Sequence, residues 1–78
     1  IINVPVTDKA AAHSDKTVLA ELEKIEKEMG DNGRILLRES GTEPILRIMA
    51  EYSNQKQCEA YAARLEDVIK KCGYVVKG

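Results

Sequence analysis

The sequence contains no Trp and no Phe, and three Tyr are its only aromatics. A sheet that reads single-stranded RNA needs exposed rings on which bases stack, so this scarcity argues against that class. Cysteine and histidine are nearly as rare. Cys58, Cys72 and His13 are all there is, too few for a disulfide scaffold or a Cys/His metal site. No apolar run approaches the ~18 residues of a membrane-spanning helix. Neither sign of charge dominates. Twelve Lys+Arg against thirteen Asp+Glu leave a net charge of −1, with none of the basic excess of a nucleic-acid binder. What remains is 78 residues that are 44% hydrophobic and 32% charged, the composition of one small folded domain. So short a chain buries only about 60% of the surface it exposes when unfolded.

The opening Ile1-Ile2-Asn3-Val4 has no initiator Met, no basic leader and no cleavage site, and is not a signal peptide. It reads as a strand entered part-way, so residues 1–78 are expected to be a single domain of a longer protein. Cys58 and Cys72 stand fourteen residues apart in one expected helix. That spacing separates them by about 21 Å, beyond the ~7 Å a disulfide tolerates. They read as small apolar residues on a buried stripe, and as thiols suited to a reducing cytoplasm.

Hydrophobic spacing gives the elements. Ile1–Thr7 is rich in β-branched residues and predicts a strand, with Pro5 at an edge or an end because it has no N–H for a ladder. Asp8–Ser14 reads as a connector, and Ser14 or Asp15 as the N-cap of the next element. Val18, Leu19, Leu22, Ile25 and Met29 recur at helical spacing and predict a helix over Lys16–Met29. Gly30 suits the left-handed position past its end, and Asp31-Asn32-Gly33 is turn chemistry. Arg34–Arg38 and Ile45–Tyr52 read as antiparallel strands joined by Ser40–Pro44. Asn54–Lys71 predicts a second helix, with Cys58, Ala62, Leu65, Ile69 and Cys72 buried, Tyr61 and Val68 beside them, and Gly73 as its stop. Tyr74-Val75-Val76 reads as a last strand. The expected fold is α+β in the order β-α-β-β-α-β, a four-stranded, mainly antiparallel sheet with two helices on one face.

The connection between the middle strands is richer than a turn requires. Arg38, Ser40, Gly41, Thr42 and Arg47 fall within ten residues, where a plain hairpin needs only a Gly or an Asn. Backbone N–H groups around a Gly form a concave nest for an anion. Ser and Thr hydroxyls can donate to phosphate oxygens. Arginine forks match phosphate geometry and add charge-assisted bonds. Glu43 has the wrong charge for a ligand but suits a second layer that steadies an arginine. The same residue types also fill ordinary turns, so composition alone leaves an anion site and a plain turn both open.

The string Arg38-Glu39-Ser40-Gly41-Thr42-Glu43-Pro44-Ile45-Leu46-Arg47 resembles the phosphate-binding loop of the α-D-phosphohexomutases. With its flanks, Gly33 to Leu37 and Ile48 to Glu51, it is most like the bacterial phosphoglucosamine mutase branch of that family. The resemblance implies a C-terminal, fourth domain with a TATA-binding-protein-like fold. It implies that Arg38, Ser40, Gly41, Thr42 and Arg47 bind the phosphate of a phosphosugar, the phosphate not being transferred, with Glu43 behind them. Gly41 leans toward the glucosamine branch, since mannose-acting relatives often carry Asn there. The phosphoglucomutase/phosphomannomutase branch stays open as the alternative, because Glu39 replaces the Pro or Lys common at that position. Glu39 is expected to turn away from the site.

The same resemblance implies that a parent enzyme would interconvert glucosamine 6-phosphate and glucosamine 1-phosphate, for amino-sugar and cell-wall precursor synthesis. A phosphoserine and Mg²⁺ in its other domains would supply the chemistry. No residue of this chain is expected to be catalytic or to bind metal, and Ser40 is a ligand rather than the nucleophile. The chain alone would bind phosphosugar without turnover, and would dock movably on the other domains. Its partners would be those domains and the sugar, with no nucleic acid and no membrane, in the cytoplasm. A non-enzymatic ferredoxin-like interaction module is the rival reading.

Overall fold

The computed structural model of the protein describes residues 1–76. Strand β1 (Ile2–Pro5) leads into two consecutive helices, α1 (Lys9–Ser14) and α2 (Lys16–Met29). A 3₁₀ turn, Gly30–Asn32, precedes strands β2 (Gly33–Glu39) and β3 (Ile45–Tyr52), and helix α3 (Gln55–Lys71) comes last. The α+β class and the bounds of α2 and β3 are as the periodicity predicts.

Two expectations need correction. The segment Asp8–Ser14 is not a connector. Asp8 caps it, its Oδ1 accepting from Ala11 N at 3.0 Å, and consecutive alanines sustain a short helix. Asp15 then stands in extended conformation between α1 and α2, and its Oδ1 caps α2 by accepting from Thr17 N at 2.8 Å and Val18 N at 3.2 Å. Nor, among the described residues, does the sheet have four strands. It is three-stranded, antiparallel throughout, in the order β1-β3-β2. Beyond Pro5 the chain runs only two residues before the Asp8 cap, so Tyr74–Val76 finds little strand to pair with. It keeps one bridge, Val6 to Val75, flanked by Thr7 N donating to Tyr74 O at 2.8 Å and Val76 N to Pro5 O at 3.1 Å.

Register and pleat sort the side chains. Ile2, Val4, Leu46, Ile48, Ile35 and Leu37 share the face toward the helices. There they meet Ala12 of α1, Val18, Ile25 and Met29 of α2, and Tyr61, Ala62, Leu65 and Ile69 of α3. Each large aliphatic buried in this way is worth about 1.5–3 kcal/mol. The expected stripes are narrower than their spacing suggests, since Leu19 is 40% exposed and both cysteines are half-buried and free. Arg64 ties α3 to α2, donating to Glu21 Oε2 at 2.7 Å and Glu28 Oε1 at 2.8 Å. Those carboxylates, Glu28 foremost, raise its pKa further.

The exits of α2 and α3 use glycine where the backbone demands it. Gly30 has φ +57 and ψ −136, outside the left-handed helical basin but still at a positive φ that suits a residue without Cβ. Gly73 has φ +87. Behind it, the Tyr74 hydroxyl donates to Asp15 Oδ2 at 2.7 Å. That bond foremost, with the α2 amides, holds the Asp15 carboxyl below its ordinary pKa, and the same bond pushes the Tyr74 phenol up.

Candidate functional site

The sheet face away from the helices is uncovered, and its residues lie in cross-strand rows. Arg34 stands opposite Glu51, Leu36 opposite Met49, and Arg38 opposite Arg47, with Asn3 of β1 on the far side of Arg47. Arg34 and Glu51 pair at 3.2 Å. Arg38 and Arg47 are both exposed, and neither has a carboxylate partner among the described residues. Like charges directly opposite one another destabilise a strand pair, on the order of 0.2–1 kcal/mol. The row therefore concentrates positive charge that the fold itself leaves unneutralised.

This row ends at the β2–β3 loop. Ser40 N donates to Ile45 O at 3.0 Å and Ile45 N to Glu43 O at 2.8 Å. Ser40 is buried at 6% exposure, and its Oγ accepts from Glu43 N at 3.3 Å. The hydroxyl proton remains free to donate, since a hydroxyl can do both. Pro44 O accepts from Val6 N at 2.9 Å, which fastens the loop's exit to the end of β1. The N–H groups of Gly41 and Thr42 and the Thr42 hydroxyl have no partner among the described residues. Gly41 has no positive φ, and a Cβ built on it would meet nothing within 4 Å. Neither backbone strain nor internal packing asks for glycine there. Open backbone on the solvent side is what its missing Cβ provides.

The acidic neighbours take other paths. Glu39 stands opposite the inward-facing Leu46, and its carboxylate lies 3.4 Å from His13 Nδ1 in α1, away from the arginine row. Glu43, expected to steady an arginine, makes no ion pair among the described residues; its backbone takes part in the loop instead.

Two residues of α1 that sequence reasoning left without a role also reach this hairpin. Lys9 Nζ donates to Ser40 O at 2.6 Å and Glu43 O at 3.2 Å. His13 Nε2 lies 3.0 Å from Leu37 O, and a carbonyl can only accept, so that nitrogen carries the proton. Lys9 and His13 are four residues apart and so share one helix face. The signal was present as an Asp cap followed by an alanine-rich turn, and it shows once Asp8–Ser14 is taken as a helix.

Two cavities of about 330 Å³ lie elsewhere, one between α3 and Val75 and one beside Ile1 and Ile2 at the start of α3. The arginine row and loop form an open patch, a wall rather than a pocket. Among the described residues no group of three or more His, Cys, Asp or Glu could hold a metal ion, and no helix is long and apolar enough to cross a membrane.

Comparison with known proteins adds a separate line. Residues 1–68 match the family model described as phosphoglucomutase/phosphomannomutase, C-terminal domain. A phosphoglucosamine mutase of Lachnospira eligens is 47% identical over 74 residues, 95% of this chain and 16% of that protein. One of Bacillus licheniformis is 49% identical over 70 residues, 90% of this chain and 16% of that protein. One of Mycobacterium marinum is 45% identical over 73 residues, 94% and 16% respectively. The chain thus spans 16% of the length of these relatives.

Proposed function

Since the chain belongs to the phosphoglucomutase/phosphomannomutase family, matching its C-terminal domain, we propose that its β2–β3 loop and the Arg38–Arg47 row bind the phosphate of a phosphosugar. The observation that carries this reading is the arginine row without carboxylates, set against the unpartnered Gly41 and Thr42 N–H groups. Arg47 on the central strand and Arg38 beside it supply guanidinium forks. Gly41 and Thr42 supply backbone donors, and Ser40 and Thr42 supply hydroxyl protons. Glu43 braces the loop through its N–H and carbonyl.

The sugar we assign is glucosamine phosphate, because the relatives of 45–49% identity are named phosphoglucosamine mutases. We read residues 1–78 as one domain of such an enzyme, and the phosphosugar and the enzyme's other domains as its partners. Its reaction would interconvert glucosamine 6-phosphate and glucosamine 1-phosphate. The contribution of this chain is binding and orientation. A clamp on the remote phosphate holds the sugar in reach of the reacting centre, and either phosphate of a bisphosphorylated sugar fits the same donors. On this reading the Ser40 hydroxyl is a phosphate ligand, and the Mg²⁺ and phosphoserine chemistry is assigned to the enzyme's other domains. With one wall of a cleft only, the chain alone binds weakly and turns nothing over.

The test is a titration of the ¹⁵N-labelled chain with inorganic phosphate and with glucosamine 1-phosphate, followed by NMR. Gly41 and Thr42 amides should move first. Arg47→Lys, which loses the planar fork, should weaken binding by about 1–3 kcal/mol. Shifts centred on α3, or an Arg47→Lys chain that binds as before, would reject the assignment and favour an interaction surface.

A further inference from the structure

We propose that Lys9 is a positioning residue for the phosphate loop, acting through the backbone from behind. The proposal rests on the phosphate reading above and adds what gives the loop its polarity. Lys9 is half-buried, and no carboxylate pairs with it among the described residues. Its ammonium is committed to two carbonyls, Ser40 O at 2.6 Å and Glu43 O at 3.2 Å. A peptide unit is planar and trans, so its N–H points opposite to its C=O. Drawing the Ser40 carbonyl onto Lys9 therefore turns the Gly41 N–H to the other side. The second carbonyl drawn in, that of Glu43, precedes Pro44, which has no N–H to turn outward. One cation thus gathers acceptors at the loop's back and leaves donors at its front. It also offsets the negative ends of those carbonyl dipoles, which would otherwise oppose an approaching dianion. His13, one turn on, fastens the strand below through Leu37 O, so α1 braces both the loop and the strand that leads into it.

The experiment compares the unsubstituted chain with Lys9→Met and Lys9→Arg. Methionine keeps the length of the stem and removes the donors and the charge, while arginine retains both. Without ligand, Lys9→Met should shift the Gly41 and Thr42 amides and speed their hydrogen exchange, leaving α2 and α3 amides in place. Its affinity for inorganic phosphate should fall about 10-fold, and Lys9→Arg should recover most of that loss. Should Lys9→Met not fold, Lys9→Ala, which likewise removes the donors and the charge and suits a helix start, replaces it under the same criteria. A Lys9→Met chain with unmoved loop amides and unchanged phosphate affinity overturns the proposal while the phosphate reading stands. So does a Lys9→Arg chain as impaired as Lys9→Met, since a general loss of packing would do that. An unsubstituted chain that ignores phosphate defeats the phosphate reading, and this proposal with it.

Discussion

Arg34–Glu51 and Arg38–Arg47 are rows of the same strand pair, on the same uncovered face, with Leu36 and Met49 between them. The first is neutral and the second is doubly positive. Arg34 Nε and Nη2 reach Glu51 Oε2 and Oε1 at 3.2 and 3.5 Å, an ordinary solution for a solvent-facing sheet. Nothing in strand geometry prevents the same solution at the second row, because a carboxylate in place of either arginine would supply it. The second row persists because the inward-facing Ile35, Leu37, Leu46 and Ile48 fix the register and so hold the guanidinium groups together. A local rule is broken at one end of the hairpin and kept at the other, and such breaks are expected at functional or strained sites.

The largest effect should come from making the two rows alike. Arg47→Glu turns the second row into a copy of the first. Phosphate affinity should fall at least about 100-fold, since charge-assisted bonds are lost and a repelling carboxylate is added. Stability to urea should rise by about 0.2–1 kcal/mol. A variant that binds phosphate as before, or that loses stability, would remove the contrast. Next in size is damage at the neutral end. Gly33 faces Tyr52, and a Cβ there would collide with the Glu51 carbonyl oxygen and the Tyr52 ring. Gly33→Ala should cost about 1–3 kcal/mol of folding stability, read from urea unfolding, and should affect phosphate binding less than Arg47→Glu does. The smallest effect belongs to Glu51→Gln, which leaves Arg34 as lone as its neighbours in the charged row. The pair is exposed, so stability should change by less than about 1 kcal/mol. Phosphate should still gather at Gly41 and Thr42; if it moved to Arg34, charge alone and not the loop would be selecting the site.

Much of this is legible in the amino-acid sequence alone. The Val18–Met29 stripe, the Ile45–Tyr52 strand and the start of α3 after Asn54, whose Oδ1 accepts from Gln57 N at 3.0 Å, are local patterns, and local patterns survive folding. The loop residues stand out through their resemblance to a known motif. What stays hidden is non-local. Ala10–Ala12 has no polar face to betray a period, so α1 passes for a connector. The last strand fails because its partner ends at Val6, which no reading of Tyr74–Val76 alone reveals. Lys9 meets Ser40 across 31 positions of sequence, and only the register shows that Arg38 faces Arg47 rather than merely preceding it.

The loop is also moored at its far end, where Val6 N holds Pro44 O and the proline ring restricts the backbone at that same point. A segment fastened at its entrance, its back and its exit has little conformational entropy left to surrender when a ligand arrives. The proposed phosphate capture would then draw on interactions already oriented, with little ordering penalty to offset them. Weak binding by this wall on its own would therefore reflect the missing opposite wall and not a slack one.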